Sequence, residues 1–451
     1  MNFKKKLNNL IPGGCHTYSR GSDQFPFGTP EILISGKDAY VYDKNRNKYL
    51  DYGMGLRSVG VGYANKRINQ AAIDAIKKGN NLTRASLIEL EAANQIIKTI
   101  PSFQMVKFAK NGSNVTTAAL KLARAFTKKK YICVPEEQPF FSFDDWFIGS
   151  TNIKKGIPEK HYRYTLKFNF KNLETLQKHF IKFKDNIAAV ILEPVSANIS
   201  PCFINCEKLS EKNICKKCPK NKRNILSQIR KICSQNNTLL IFDEMITGFR
   251  WSMKGAQDYF GVMPDLSTFG KAIANGFSVS ALGGRRDIME LGGIKKKRME
   301  RVFLLSSTHG AEMSSLAAMI ENIKYYKENN VCKHLWNYGE NFKTEANIVS
   351  RKLGLAEFFY ISGDAVSLTL NTLDKHYKPC NIFKTLFQQQ MLKSNIIIPW
   401  ISQSFSHKDR ELDLTLNALK NTLLTYSKAL KKTPNYFVQG PIVKPVFRKY
   451  N

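Results

Sequence analysis

Long apolar runs are missing from this 451-residue chain. Nothing approaches the roughly 18 consecutive apolar residues that cross a bilayer, so no membrane-spanning helix is expected. The opening Met1-Asn-Phe-Lys-Lys-Lys is basic, but Leu7-Asn-Asn-Leu-Ile-Pro is too short and polar for the apolar part of a secretory signal. Acidic residues are scarce: 36 Asp+Glu face 69 Lys+Arg, a net charge of +33. Concentrated on one module, such an excess would mark nucleic-acid binding. Here it is spread along the chain, with only short runs such as Lys128–Lys130 and Lys295–Arg298, and no nucleic-acid module is recognisable. The expected consequence is steering of anionic small molecules rather than specific nucleic-acid recognition. Cysteines number only nine; without a secretory signal they are expected to be reduced thiols in a cytoplasmic chain.

What the chain does contain is organised around the stretch from Thr238 to Gly276. Leu239 to Phe242 is a short apolar run of the kind buried on both faces of a parallel sheet, and it ends in Asp243 and Glu244. Ligands of such sheets sit beyond the carboxyl ends of the strands, where Asp243 projects. Lys271 follows in Ser-Thr-Phe-Gly-Lys-Ala, flanked by the small and apolar residues of a packed turn rather than a surface helix. A lysine amine can form an imine with an aldehyde cofactor, and a buried carboxylate can keep a ring nitrogen protonated. A buried acid and an ordinary surface lysine are the plainer alternative.

Three ordered motifs decide between these readings: Asp-Glu-Met-Ile-Thr-Gly-Phe-Arg, Gly-Ala-Gln-Asp-Tyr-Phe-Gly-Val-Met-Pro-Asp-Leu and Gly-Lys-Ala-Ile-Ala-Asn-Gly. Together they resemble the core of class III pyridoxal-phosphate-dependent aminotransferases, most closely the glutamate-1-semialdehyde 2,1-aminomutase branch. The resemblance implies the α/β type I fold of these enzymes, a large domain with a central, mostly parallel sheet and a small α+β domain built from both chain ends. The expected divisions are 1–65 and 314–451 for the small domain and 66–313 for the large one. It further implies pyridoxal 5'-phosphate as cofactor, a Schiff base on Lys271, Asp243 on the ring nitrogen, and Met245 on one ring face.

Other segments carry over by the same resemblance. Lys110-Asn-Gly-Ser-Asn lies between the run Met105 to Phe108 and an amphipathic pattern at Val115, Ala118, Ala119, Leu122, Ala123 and Phe126. A small-residue turn at a helix start offers free N–H groups to a phosphate, and Gly112 and Ser113 take that role in the family. Phe140 takes the ring-stacking aromatic position, whereas Phe141 and Ser142 stand where related enzymes have His-Gly. Glu193, ending the run Ala188 to Leu192, supports the pocket. Thr308 matches a threonine that reaches a neighbouring subunit's phosphate, which implies a homodimer. Thr17 and Arg20 match the hydroxyl and guanidinium that hold a substrate carboxylate, and a guanidinium suits that task through two parallel hydrogen bonds.

The chain also departs from the aminomutase pattern. Leu56 replaces an aromatic substrate wall, Arg57 is either a second anion contact or a loop residue, and Pro399 falls where a substrate-side glutamate is expected. The Gly-rich lid after Trp146 is lacking. Amino-group transfer between an amino donor and a carbonyl metabolite is therefore expected, with intramolecular transfer by an aminomutase as the alternative and a cofactor-binding scaffold as the remote one. Finally, Cys202, Cys206, Cys215 and Cys218 crowd into an insertion at 201–222. Their number and pairing fit a structural zinc site, although the gap between the pairs is short for standard modules and incidental thiols remain the alternative.

Overall fold

A computed structural model of the chain describes residues 3–196, 224–310 and 312–450. Two compact units emerge, one from residues 1–65 and 333–448, the other chiefly from 66–332. The second division falls later than a boundary at 313/314 because the helix Met313–Glu328 packs on the helices Lys66–Ile76 and Leu87–Thr99 of the larger unit. Among the described residues no helix is long and apolar enough to cross a membrane.

In the smaller unit, strands β1 (Leu33–Lys37), β2 (Tyr40–Asp43) and β3 (Lys48–Asp51) form an antiparallel meander. The hairpin between the last two is the one that the alternation around Asn45-Arg-Asn47 predicts. In the larger unit, β4 (Met105–Ala109), β5 (Tyr131–Pro135), β6 (Thr165–Phe168), β7 (Ile187–Leu192), β8 (Leu239–Asp243), β9 (Leu266–Phe269) and β10 (Ser280–Gly284) make one sheet in the order β4-β10-β9-β8-β7-β5-β6. Only β10 runs against its neighbours. Every residue of β7 and β8 is buried, as expected of central strands covered on both faces. The parallel sense brings the carboxyl ends of β4, β5, β7, β8 and β9 to one edge of the sheet.

The helix Gly112–Thr127 begins at that edge. Asn111 caps it by accepting a hydrogen bond from the Asn114 N–H, a contact whose loss costs about 1 kcal/mol. Its face of Val115, Ala118, Ala119, Leu122 and Ala123 is buried against Ala189, Ile191, Ile241 and Leu282. Small alanines let the helix lie close to the sheet, and each buried leucine or valine contributes about 1.5–3 kcal/mol.

The smaller unit is completed by β11 (Phe359–Ser362), its partner β12 (Thr369–Thr372), and β13 (Ile396–Ile397), which pairs in parallel with β3. Its core gathers Tyr52, Phe342, Phe359, Leu386, Leu419 and Tyr426. The buried Tyr52 hydroxyl is satisfied by Tyr338 at 2.6 Å and Thr415 at 2.8 Å. The basic tail runs along this unit: Val443 is buried, the Lys444 N–H donates to the Asp23 carbonyl, and Arg448 pairs with Asp23.

Candidate active site

The sheet edge assembles its polar groups by register. β8 and β9 pair so that Asp243 faces Thr268, and the Thr268 hydroxyl donates to the Asp243 carboxylate at 3.1 Å. The Met245 N–H donates to the same oxygen at 3.1 Å. Asp243 is only 3 % exposed. Burial pushes its carboxyl up to about 6, while the Met245 N–H, the Lys271 charge and the Thr268 hydroxyl pull the other way. The carboxylate therefore has neutral hydrogen-bond partners, a cation near enough to act on it, and a burial penalty only partly offset.

Lys271 opens the short turn Lys271–Ala274 directly after β9 and Gly270. Its φ of +48 lies in the left-handed region that side chains avoid. The turn is held from behind by Asn322, whose amide donates to the carbonyls of Ala272 and Ile273, both at 2.9 Å. Such backbone strain persists only where neighbours over-determine it, as Asn322 does here.

Met245 sits between Gly112 and Gly270. A Cβ on Gly112 would come within 3.0 Å of the Met245 sulfur, and one on Gly270 within 2.5 Å. The two glycines and the thioether are thus brought together, next to the helix N-terminus that carries Ser113. The Ser113 hydroxyl accepts from the Phe143 N–H at 3.0 Å, and the Thr116 hydroxyl donates to the Phe141 carbonyl at 2.9 Å. These bonds fasten the aromatic loop to the helix. Within the loop Phe140 is 42 % exposed and Phe141 is buried.

Glu193 follows β7 and is buried. Its backbone is clamped by Gln138, which donates to the Glu193 carbonyl at 2.7 Å and accepts from its N–H at 2.8 Å. Gln138 went unrecognised in the sequence because a side-chain amide paired with a distant backbone has no local pattern. Glu244 likewise shows its part only in the fold: fully buried, it accepts from the Thr247 hydroxyl and the N–H groups of Ala256 and Gln257, closing the loop after β8. Burial raises its carboxyl, and those donors oppose the rise.

Thr308 is exposed, and its carbonyl accepts from the Asn81 amide at 3.0 Å. Thr17 and Arg20 lie in the smaller unit, at the short turn Tyr18–Arg20. Cys202, Cys206, Cys215 and Cys218 lie outside the described residues. Among the described residues no group of three or more His, Cys, Asp or Glu side chains is placed to hold a metal ion.

The family described as Aminotransferase class-III matches residues 24–353, about three quarters of the chain. The chain belongs to the class-III aminotransferase family. Relatives of this aminotransferase include glutamate-1-semialdehyde 2,1-aminomutase 2 of Lachnoclostridium phytofermentans, 31 % identical over 371 residues, covering 80 % of this chain and 81 % of that one. The glutamate-1-semialdehyde 2,1-aminomutase of Archaeoglobus fulgidus is 30 % identical over 433 residues, covering 92 % and 97 %. Among solved structures, the internal aldimine form of the Sphingopyxis sp. MTA144 FumI protein matches with a TM-score of 0.82 at 22 % identity over 97 % of each chain. That likeness shows the shared fold. This class-III aminotransferase is a pyridoxal-phosphate-dependent enzyme of amino-group transfer, acting on small-molecule amino donors and acceptors.

Its residues fit that cofactor. Asp243 is a buried carboxylate whose hydrogen-bond partners are all neutral, the state that a protonated ring nitrogen would relieve. Gly112 and Gly270 leave room that a Cβ would take from Met245. The free N–H groups at the start of the helix Gly112–Thr127 suit a phosphate.

Proposed function

We propose that this enzyme is a transaminase, moving an amino group from a donor to a separate carbonyl metabolite, with Lys271 and Asp243 as its catalytic residues. The observation that carries the reading is the placement of Lys271, on a strained turn, beside a fully buried carboxylate. Bound there, pyridoxal phosphate supplies an aldehyde carbon that captures amines and a protonated ring that takes up the electron pair left by a departing proton. Lys271 would hold the cofactor through its amine, and the same amine would take a proton from the substrate carbon and give it back, one group acting as base and then as acid. Asp243 would hold a protonated ring nitrogen through close opposite charge, in a site where burial strengthens the attraction.

Gly112 and Ser113 would hold the phosphate, Phe140 and Met245 the two ring faces, and Glu193 would support the pocket through its Gln138 clamp. Thr17 and Arg20 would take the substrate carboxylate. We read the enzyme as a homodimer in which Thr308 reaches the partner's phosphate. In support, Leu87 is 69 %, Leu90 59 % and Phe303 66 % exposed on the single chain, large apolar side chains that a partner would cover. A reducing cytoplasm suits the five described cysteines, all free thiols.

Intramolecular transfer on glutamate 1-semialdehyde is the second reading, favoured by the names of the curated relatives. Against it stand Leu56, Phe141 and Pro399, which depart from the aminomutase pattern on the substrate side, and function follows the site rather than the fold. A cofactor-binding scaffold without activity would have no need of the Lys271–Asp243 pair. The test is Lys271→Ala: borohydride should attach cofactor to Lys271 in the native enzyme, and the variant should lose both the label and turnover. Undiminished turnover in that variant would remove Lys271 from the chemistry.

A further inference from the structure

The smaller unit contains a cavity of about 1040 Å³, at the upper end of the range for small-molecule sites. Its floor includes a left-handed turn: Met54, Gly55, Leu56 and Arg57 have φ of +40, +56, +61 and +66. Side chains avoid that conformation, so something must hold it. Asp51 does so, accepting from the N–H groups of Gly53 at 2.7 Å and Met54 at 3.0 Å. The Ser58 hydroxyl adds a bond to the Gly55 carbonyl at 2.6 Å.

Four charged side chains line the cavity: Lys4, Arg20, Glu31 and Asp51. Both acids are engaged. The Asp51 carboxylate also accepts from the Tyr63 hydroxyl at 2.6 Å, and Glu31 accepts from the Lys4 backbone N–H at 3.2 Å. Arg20 makes no ion pair with a described residue, although its charge reaches the Tyr63 hydroxyl. A planar cation without a partner in a roomy cavity calls for a carboxylate. The wall formed by Leu56, Pro399 and Trp400 is apolar. Two of its polar groups are engaged: the Trp400 indole N–H donates to the Gly53 carbonyl at 3.3 Å, and the Pro399 carbonyl accepts from Gln388 at 3.4 Å. β13 brings this wall beside the left-handed turn by pairing with the end of β3.

We propose that this cavity selects monocarboxylates with an apolar, ring-sized body, Arg20 taking the carboxylate and Leu56, Pro399 and Trp400 the body. This rests on the reading of Arg20 as a carboxylate contact. A second carboxylate on the ligand's body would lie against the apolar Leu56, Pro399 and Trp400, which is costly.

Titration calorimetry on the holoenzyme tests this with unreactive probes: 3-phenylpropionate, glutarate and 3-phenylpropan-1-ol. The first should bind at least about tenfold tighter than the other two, since each lacks one of the two contacts. Arg20→Ala and Trp400→Ala should each weaken it by about tenfold or more, while Trp400→Phe should stay within about threefold of the native enzyme, separating a lost contact from a lost fold. Glutarate binding as tightly as 3-phenylpropionate, or unchanged affinity in Arg20→Ala, would overturn the proposal. A panel of amino acids, each offered as sole amino donor, tests the amino-transfer reading apart from it. Cofactor conversion by a panel member without 3-phenylpropionate binding refutes only the selectivity; binding with no conversion by any member refutes only the transferase reading.

Discussion

Replacing Asp243 by asparagine separates what the carboxylate costs from what it does. The side chain is fully buried and its carboxyl is raised from 3.8 to about 6. The folded state therefore holds its proton more tightly than the unfolded state. Below about pH 4 both states are protonated and the group is neutral in the balance. As pH rises from about 4 to about 6 the unfolded chain loses the proton first, so stability falls, and above about 6 the loss is complete. At about 1.4 kcal/mol per pKa unit the penalty is about 3 kcal/mol. Asparagine has the same shape, can still accept from the Met245 N–H, and leaves the Thr268 hydroxyl free to turn. The cofactor-free Asp243→Asn protein should thus exceed the native one in stability by up to about 3 kcal/mol at pH 8, with the difference shrinking toward zero near pH 4. Denaturant unfolding followed by fluorescence of Trp146 and Trp251, both buried in the same unit, reads this directly. With cofactor the order reverses, because only the carboxylate can pair with a charged ring nitrogen; turnover should fall by about 100-fold or more. A variant less stable than the native protein at pH 8, or a difference independent of pH, would show that Asp243 carries no burial penalty.

Gly270→Ala places a methyl group 2.5 Å from the Met245 sulfur, so cofactor affinity should drop by about tenfold through overpacking; a second change, Met245→Ala, should restore part of it, as cofactor titration would show. If Cys202, Cys206, Cys215 and Cys218 hold zinc, elemental analysis should find about one metal per chain and chelation should lower the unfolding temperature. Metal-free protein of unchanged stability would leave the insertion without a metal role.

Much of the larger unit was legible because its strands are short apolar runs ending in chemistry-bearing residues. Leu239–Asp243 and Ile187–Leu192 announce buried parallel strands, and the pattern from Val115 to Ala123 gives the helix whose start bears Gly112 and Ser113. What could not be read were contacts between distant segments. Nothing near Gln138 points to the Glu193 backbone, and nothing in Met54-Gly-Leu-Arg predicts a left-handed turn fixed by Asp51. Trp400 gained a role only because β13 pairs with β3 across more than 300 residues. Nothing in the basic tail points to its anchors, Asp23 and Thr385, because both lie far away in sequence. The larger unit runs on past residue 313 because the helix Met313–Glu328 packs on the helices Lys66–Ile76 and Leu87–Thr99, contacts between segments far apart in sequence.

The most direct test of amino transfer between two molecules is a single half-reaction. Holoenzyme mixed with an amino donor alone, with no acceptor present, should convert its cofactor to pyridoxamine phosphate and release one oxo acid per active site, then stop until an acceptor is added. Rapid conversion of glutamate 1-semialdehyde to 5-aminolevulinate with no external donor, and no oxo acid released, would contradict the account and make the enzyme an aminomutase.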